Sequence, residues 1–204
     1  MEGASAGCLY YPNEHILLVG EADFTFSSAL ASIIKDSRNL YATTDKSQEY
    51  TRRMYAQAPK ALSNLLRRGA KVVYNFDATQ DIVAQGFFHR IIFNFPHAGY
   101  FGRPEWVRYV ITQHQELIRR FLANASKLIR PYDGEIHITV QDYDPYKRWD
   151  ISGLARSCGL RLKQSVIFDM GTFTGYTNRR GSGRRAGGTF PFGRGYIRTH
   201  IISF

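Results

Sequence analysis

Apolar runs bounded by polar turns set the order of elements along the chain. His15-Ile-Leu-Leu-Val-Gly20 is a continuous apolar run of the kind that fills the middle of a parallel sheet. Glu21-Ala-Asp-Phe-Thr-Phe26 then turns tightly into a helix reaching about Lys35, with Asp23 or Thr25 as its cap. Asn39–Asp45 is a second strand. From Lys46 to about Arg68 the pattern is helical but polar, and Pro59 divides it into two pieces. Lys71–Asp77 is a third strand, and Arg90-Ile-Ile-Phe is a fourth that runs straight into the turn Asn94-Phe95-Pro96-His97. A loop over Ala98–Pro104 leads to an amphipathic helix over Glu105–Ile129, with Trp106, Val110, Leu117, Phe121 and Leu128 on its apolar face and His114 as a surface or satisfied helix residue. Glu135–Val140 alternates as a fifth strand and Trp149–Cys158 is a short helix. Leu160–Phe168 and Tyr196–Phe204 are two final strands. Strand and helix alternating five times before a strand pair predicts an α/β, doubly wound sheet with an appended hairpin.

Ligands in such sheets sit at the carboxyl ends of the strands. Here those ends carry polar groups: Glu21 after the first, Asp45 after the second, Asp77 after the third and Asn94 after the fourth. Each acid alone has a plain role as a turn residue, and Asp45 serves equally as a cap for the next helix. Together they make a site for a nucleoside-bearing cofactor whose ribose and adenine amino group both donate hydrogen bonds. Asp142 and Asp144 follow the fifth strand without a His/Cys cluster, so they read as loop-capping residues and no metal is expected.

Composition narrows the class. The 204 residues suffice for one domain with a substantial core, and Cys8 and Cys158 match no metal-ligand spacing and read as two reduced thiols. No stretch approaches the roughly 18 apolar residues of a membrane helix, and no charged-then-apolar leader is seen, so the expectation is a protein that is neither membrane-bound nor secreted. Charge is uneven: residues 1–100 carry 10 basic and 9 acidic groups, residues 101–204 carry 17 and 8. After Asp169 there is no acidic side chain, while Arg179, Arg180, Arg184, Arg185, Arg194 and Arg198 alternate with Phe, Tyr and Gly. Arginine suits bidentate phosphate contact and stacking, so the passage 171–195 reads as a binding loop for a polyanion such as RNA; the plainer reading is a solvated basic segment.

Four blocks carry a resemblance: Val19-Gly-Glu-Ala-Asp-Phe24, Asp77-Ala-Thr79, Ile91-Ile-Phe-Asn-Phe-Pro-His-Ala-Gly99 and Gly175-Tyr-Thr-Asn-Arg-Arg-Gly181. They resemble the Rossmann-like domain of the large-subunit rRNA uridine-N3 methyltransferases, a domain shared with plant proteins of unassigned function and with ferredoxin-fold anticodon-binding-domain proteins. The resemblance spans residues 14–204 and implies a class I methyltransferase fold: a seven-stranded, mostly parallel sheet with an antiparallel last strand, in a single domain with residues 1–13 as an N-terminal extension. It implies S-adenosyl-L-methionine as cofactor, with Gly20, Glu21, Ala22, Asp23 and Phe24 at the methionine end, Asp45 on the ribose, and Asp77 with Ala78 on the adenine. Ala22 stands where the family pattern has glycine, and a φ below zero is what accommodates its methyl group.

Asn94-Phe95-Pro96-His97 also resembles the Asn-Pro-Pro-aromatic turn of methyltransferases acting on planar nitrogens. Asn94 Oδ1 and the Phe95 carbonyl are then the acceptors for the target N–H, His97 the candidate base, and Phe95 or Tyr100 the ring that stacks the flipped base. Arg179, Arg180, Arg184 and Arg185 would hold phosphates of a ribosomal RNA. A monomer in the nucleolus or cytoplasm is the accompanying expectation. Two other functions stay open: a non-catalytic RNA-binding or ribosome-assembly factor, and a nicotinamide-dependent oxidoreductase, the latter weakened by the absence of a Gly-x-Gly-x-x-Gly spacing.

Overall fold

The computed structural model describes residues 9–84, 86–181, 185–190, 192 and 195–204. Of the residues singled out above, Cys8, Arg184 and Arg194 lie outside them. The elements are β1 Ile16–Val19, α1 Thr25–Ile34, β2 Leu40–Thr43, α2 Gln48–Met54, α3 Ala58–Arg67, β3 Lys71–Val73, β4 Arg90–Asn94, α4 Arg108–Leu128, β5 Glu135–Gln141, α5 Ile151–Ser157, β6 Arg161–Ile167 and β7 Ile197–Ser203.

All seven strands join one sheet in the order β3-β2-β1-β4-β5-β7-β6. The first five run parallel, with Leu18 beside Ala42 and Val19 beside Phe93, and β7 is antiparallel to both β5 and β6. The final antiparallel pair is appended at the β5 edge as expected, with β7 inserted between β5 and the outermost strand β6. Successive side chains of β1 feed opposite faces. Ile16 and Leu18 join Ile92 and the residues of α1 and α3 in one core cluster, whereas Leu17 and Val19 join Ile91, Phe93 and α4 in the other. Both faces of the central strands are thus covered by helices, which is why their sequences are apolar without alternation. Among the described residues no helix is long and apolar enough to cross a membrane.

Two boundaries depart from the pattern for local reasons. The third strand stops at Val73 because Asn75 takes a left-handed φ of 54° and turns its N–H to the Lys46 carbonyl, so Asp77 lies four residues beyond the strand end. The long helix starts at Arg108, after a turn in which the Val107 N–H bonds the Pro104 carbonyl, and Trp106 is exposed rather than on the apolar face. His114 is fully buried in α4, not a surface residue. Tyr10, within the segment read as an N-terminal extension, is buried in the first cluster.

Candidate active site at the carboxyl rim of the sheet

Parallel register puts the carboxyl ends of β3, β2, β1 and β4 along one rim. Gly20 leaves β1 with φ +71°, and a Cβ there would sit 2.4 Å from Phe93 Cε2, so the turn is closed to any other residue at both the backbone and the contact level. Ala22 is not among the positive-φ residues and packs against the core, so its methyl group is accommodated. Phe24 adopts a left-handed φ of 60° as the N-cap of α1, and its fully buried ring lies 6.0 Å from that of Tyr74. Its side chain belongs to the core, which leaves only its backbone to face a ligand.

The acids at this rim differ sharply. Glu21 turns inward and accepts from the Ser27 N–H (3.1 Å) and the Ser27 hydroxyl. It thereby satisfies one helix N–H, while Asp23, expected as a cap, takes the N–H of Thr25 at the first position of α1. Burial pushes its carboxyl up to about 7 against those bonds. Asp23 Oδ1 accepts from the Thr25 N–H (3.0 Å) and hydroxyl (2.7 Å), and Oδ2 accepts from the Thr177 hydroxyl (3.1 Å). Asp45, two residues past β2, is exposed and ion-paired with Lys46. Asp77 Oδ1 closes its own turn with the Thr79 N–H (2.8 Å) and hydroxyl (2.7 Å), and Asn124 Nδ2 holds the Ala78 carbonyl (3.1 Å) from α4.

Among the described residues, single buried side-chain atoms of His15, Thr51, Arg90 and Trp149 lack a hydrogen-bond partner, and at the end of β4 the Asn94 amide lacks one at both ends. Both Oδ1 and Nδ2 are buried and neither has a partner among the described residues, a condition that is costly unless a ligand completes it. Phe95 is held at φ 51°, a strained backbone for an aromatic residue, by its N–H donating to the Thr139 carbonyl (2.8 Å). Pro96 is buried behind it.

This loop is anchored by Glu105 between two histidines. His97 Nδ1 accepts from the Gly99 N–H (3.1 Å) and His114 Nδ1 from the Ala98 N–H (3.1 Å), so in the neutral rings Nε2 carries the proton. Both Nε2 groups meet Glu105, at 3.2 Å from His97 and 2.9 Å from His114. Burial alone would raise the Glu105 carboxyl, but the bonds from His114 and His97 outweigh it and hold it at about 2. The three ligand-type atoms lie within 4.8 Å of one another, yet with both Nδ1 and both Nε2 positions engaged the neutral rings offer no free lone pair to a cation. For the same reason His97 has no lone pair free to take a proton from a substrate. A sequence signal existed: His114 falls in step with Val110, Ile111, Ile118 and Phe121 on the buried stripe of α4.

The basic passage after β6 folds back over this rim. Arg180 N–H bonds the Gly188 carbonyl, Gly187 N–H the Arg180 carbonyl, and Phe190 N–H the Asn178 carbonyl, forming a short hairpin. Thr177 locks it to α1 by donating its N–H to Thr25 Oγ1 (3.1 Å). The Phe192 ring lies 5.1 Å from Phe95. Arg179 bonds Thr189 Oγ1 (2.9 Å) and approaches Asp23 (3.8 Å), a structural rather than a solvent-facing placement. Arg180 lies over the Phe190 ring at 4.8 Å and, with Arg185 and Thr189, lines an open cleft of about 460 Å³.

A family profile described as rRNA (uridine-N3-)-methyltransferase BTM5-like matches residues 17–180. The chain belongs to this BMT5-like family. It is 39% identical over 188 residues to heavy metal-associated isoprenylated plant protein 41 of Arabidopsis thaliana, covering 90% of this chain but 36% of that protein. It is 37% identical to "Uncharacterized protein At4g26485" of the same plant, covering 95% of both. The 25S rRNA (uridine(2634)-N(3))-methyltransferase of Saccharomyces cerevisiae is 31% identical over 121 residues, 44% of this chain and 35% of that one. Among solved structures, a SAM-dependent methyltransferase from Aquifex aeolicus shares the fold of this BMT5-like chain with a TM-score of 0.55 at 13% identity, covering 98% of this chain and 84% of that one. The seven-strand order is that of the class I methyltransferase fold.

Proposed function

We propose that this chain is an S-adenosylmethionine-dependent methyltransferase acting on ring nitrogen 3 of uridine in ribosomal RNA. The observation that carries the reading is the unpaired, buried Asn94 amide at the end of β4, in the strand next to Gly20. Family membership and the printed activity of the yeast relative support the choice of base and of RNA.

The rim fits the cofactor. Gly20 keeps the turn open, Ala22 keeps its methyl group out of the way, and Asp45 offers an exposed carboxylate. The backbone over Gly20–Asp23 would hold the methionine end, Asp45 the ribose hydroxyls, and Asp77 with Ala78 the adenine. When bound, the cofactor supplies a methyl group on a sulfonium, an electrophile that leaves a neutral thioether behind. The chain's own part is positioning. Asn94 Oδ1 and the Phe95 carbonyl accept the N3–H of uracil and aim the nitrogen, while the strained Phe95 and the His97–Glu105–His114 clamp hold the turn rigid. Uracil N3–H is a weak acid, comparable to a tyrosine or lysine side chain, at roughly 10. As the N–C bond forms, that proton passes to solvent, because both nitrogens of His97 are engaged. Arg180 and Arg185 line the cleft that takes backbone phosphates.

A second reading, a non-catalytic RNA-binding factor, is favoured by one observation: Asp23 is already occupied by Thr25 and Thr177. Titration calorimetry with S-adenosylmethionine separates the two. Binding that Asp45→Ala weakens is the result expected of the enzyme; no heat of binding in the wild type assigns the chain to the second reading.

A further inference from the structure

Residues 100–109, between the turn at Asn94 and the first turn of α4, carry exposed aromatic and basic side chains that the proposed chemistry does not use. Tyr100 is 64% exposed, Trp106 67% and Tyr109 54%. Three of the six exposed Tyr and Trp rings among the described residues thus fall within ten positions, which scattered surface aromatics do not explain. Arg103 and Arg108 are interleaved with them, both exposed, and neither has an ion-pair partner among the described residues. The segment is anchored, not loose. His114 holds it at Ala98, Glu105 ties it to two histidines, Phe101 packs 5.8 Å from Tyr109, and Arg148 Nη1 bonds the Trp106 carbonyl (3.2 Å).

We infer that Tyr100, Trp106 and Tyr109, with Arg103 and Arg108, form a stacking face for unpaired nucleotides that flank the target uridine. The inference rests on the RNA reading above and specifies its substrate class. Ring nitrogen 3 lies on the Watson–Crick edge, so it is a hydrogen-bond donor in a duplex and is free to accept a methyl group only in an unpaired uridine. Neighbours of an unpaired base expose their faces. Aromatic rings take such faces with little regard to sequence, and arginine neutralises the intervening phosphates. The surface begins six residues after Asn94, on the same loop, which places it where the nucleotides adjacent to a bound base would run.

The chain has two tryptophans, and Trp149 is 2% exposed, so emission that RNA quenches reports on Trp106. The experiment follows binding of a single-stranded RNA of about 12 nucleotides around one uridine, by probe anisotropy and by intrinsic emission together. Cofactor calorimetry on each variant serves as the folding control. Expected are quenching by the single strand, none by the same strand annealed to its complement, and a loss of roughly five-fold or more in single-strand affinity for Trp106→Ala, largely restored in Trp106→Phe. Anisotropy that shows binding without quenching, with Trp106→Ala neutral, overturns this face and leaves the RNA reading standing. No binding of either RNA overturns both. Quenching by purified ribosomal proteins but not by RNA makes the surface a protein dock and overturns the inference.

Discussion

Asn94→Ala separates a residue kept for chemistry from one kept for the fold. A buried polar group without a partner costs about 1–3 kcal/mol, and Asn94 presents both an acceptor and a donor in that state. Replacing the amide by a methyl group removes that cost and leaves only a small void, so the free protein should be unchanged in stability or more stable by up to about 2 kcal/mol. Most substitutions at partly buried polar positions do the opposite. Methyl transfer should meanwhile fall by about 10²–10³-fold, the usual effect of removing one preorganised group that meets the reacting centre. Urea unfolding followed by emission of the buried Trp149, alongside a transfer assay on RNA, measures both quantities on one preparation. A variant destabilised by about 2 kcal/mol or more would show that the amide is paired within the protein; activity within a few-fold of wild type would remove it from the reaction.

Other outcomes follow from the same geometry. Arg180→Ala with Arg185→Ala should weaken RNA binding and reduce the slope of log K against log salt by about 1.4, at about 0.7 per phosphate contact on a single strand, whereas Arg179→Ala, which loses its contacts to Asp23 and Thr189, should lower thermal stability more than it changes that slope. Glu21 is raised on folding from 4.5 to about 7, so the native state binds the extra proton and its contribution to stability, on the order of 3 kcal/mol, is present below about pH 4.5 and lost as pH rises to about 7. Glu21→Gln should flatten the wild-type decline between those values in urea titrations; parallel curves would show an ionised carboxylate throughout. The transfer rate should climb with pH towards ionisation of uracil N3, and His97→Asn should keep that shape while lowering its height. An inflection present in wild type and lost in His97→Asn would return the base to that imidazole.

The linear order of strands and helices was legible because buried strands such as Ile91-Ile92-Phe93 are uniformly apolar and α4 has a clean stripe. The insertion of β7 was not, since the alternation in 161–167 and 197–203 fits either partner and pairing is decided by tertiary contacts. At the rim, the polar types were readable but their directions were not. Glu21 looks like a ligand-facing acid until Ser27, six residues on, draws it inward. Asp23 and Arg179, expected to meet a cofactor and a phosphate, face each other across 156 positions of chain. Glu105 continues the helical pattern in sequence although the helix begins at Arg108, so its clamp on His97 and His114, a contact between a loop and a buried helix face, has no local signature.

We propose that one rim brings a transferable methyl group to a uracil ring nitrogen. It is tested most directly by incubating the protein with tritiated-methyl S-adenosylmethionine and total RNA from cells that lack it, then digesting the RNA and separating the nucleosides. Label in N3-methyluridine, absent with Asn94→Ala, is the predicted result. Label in any other nucleoside, or none in RNA at all, would contradict it.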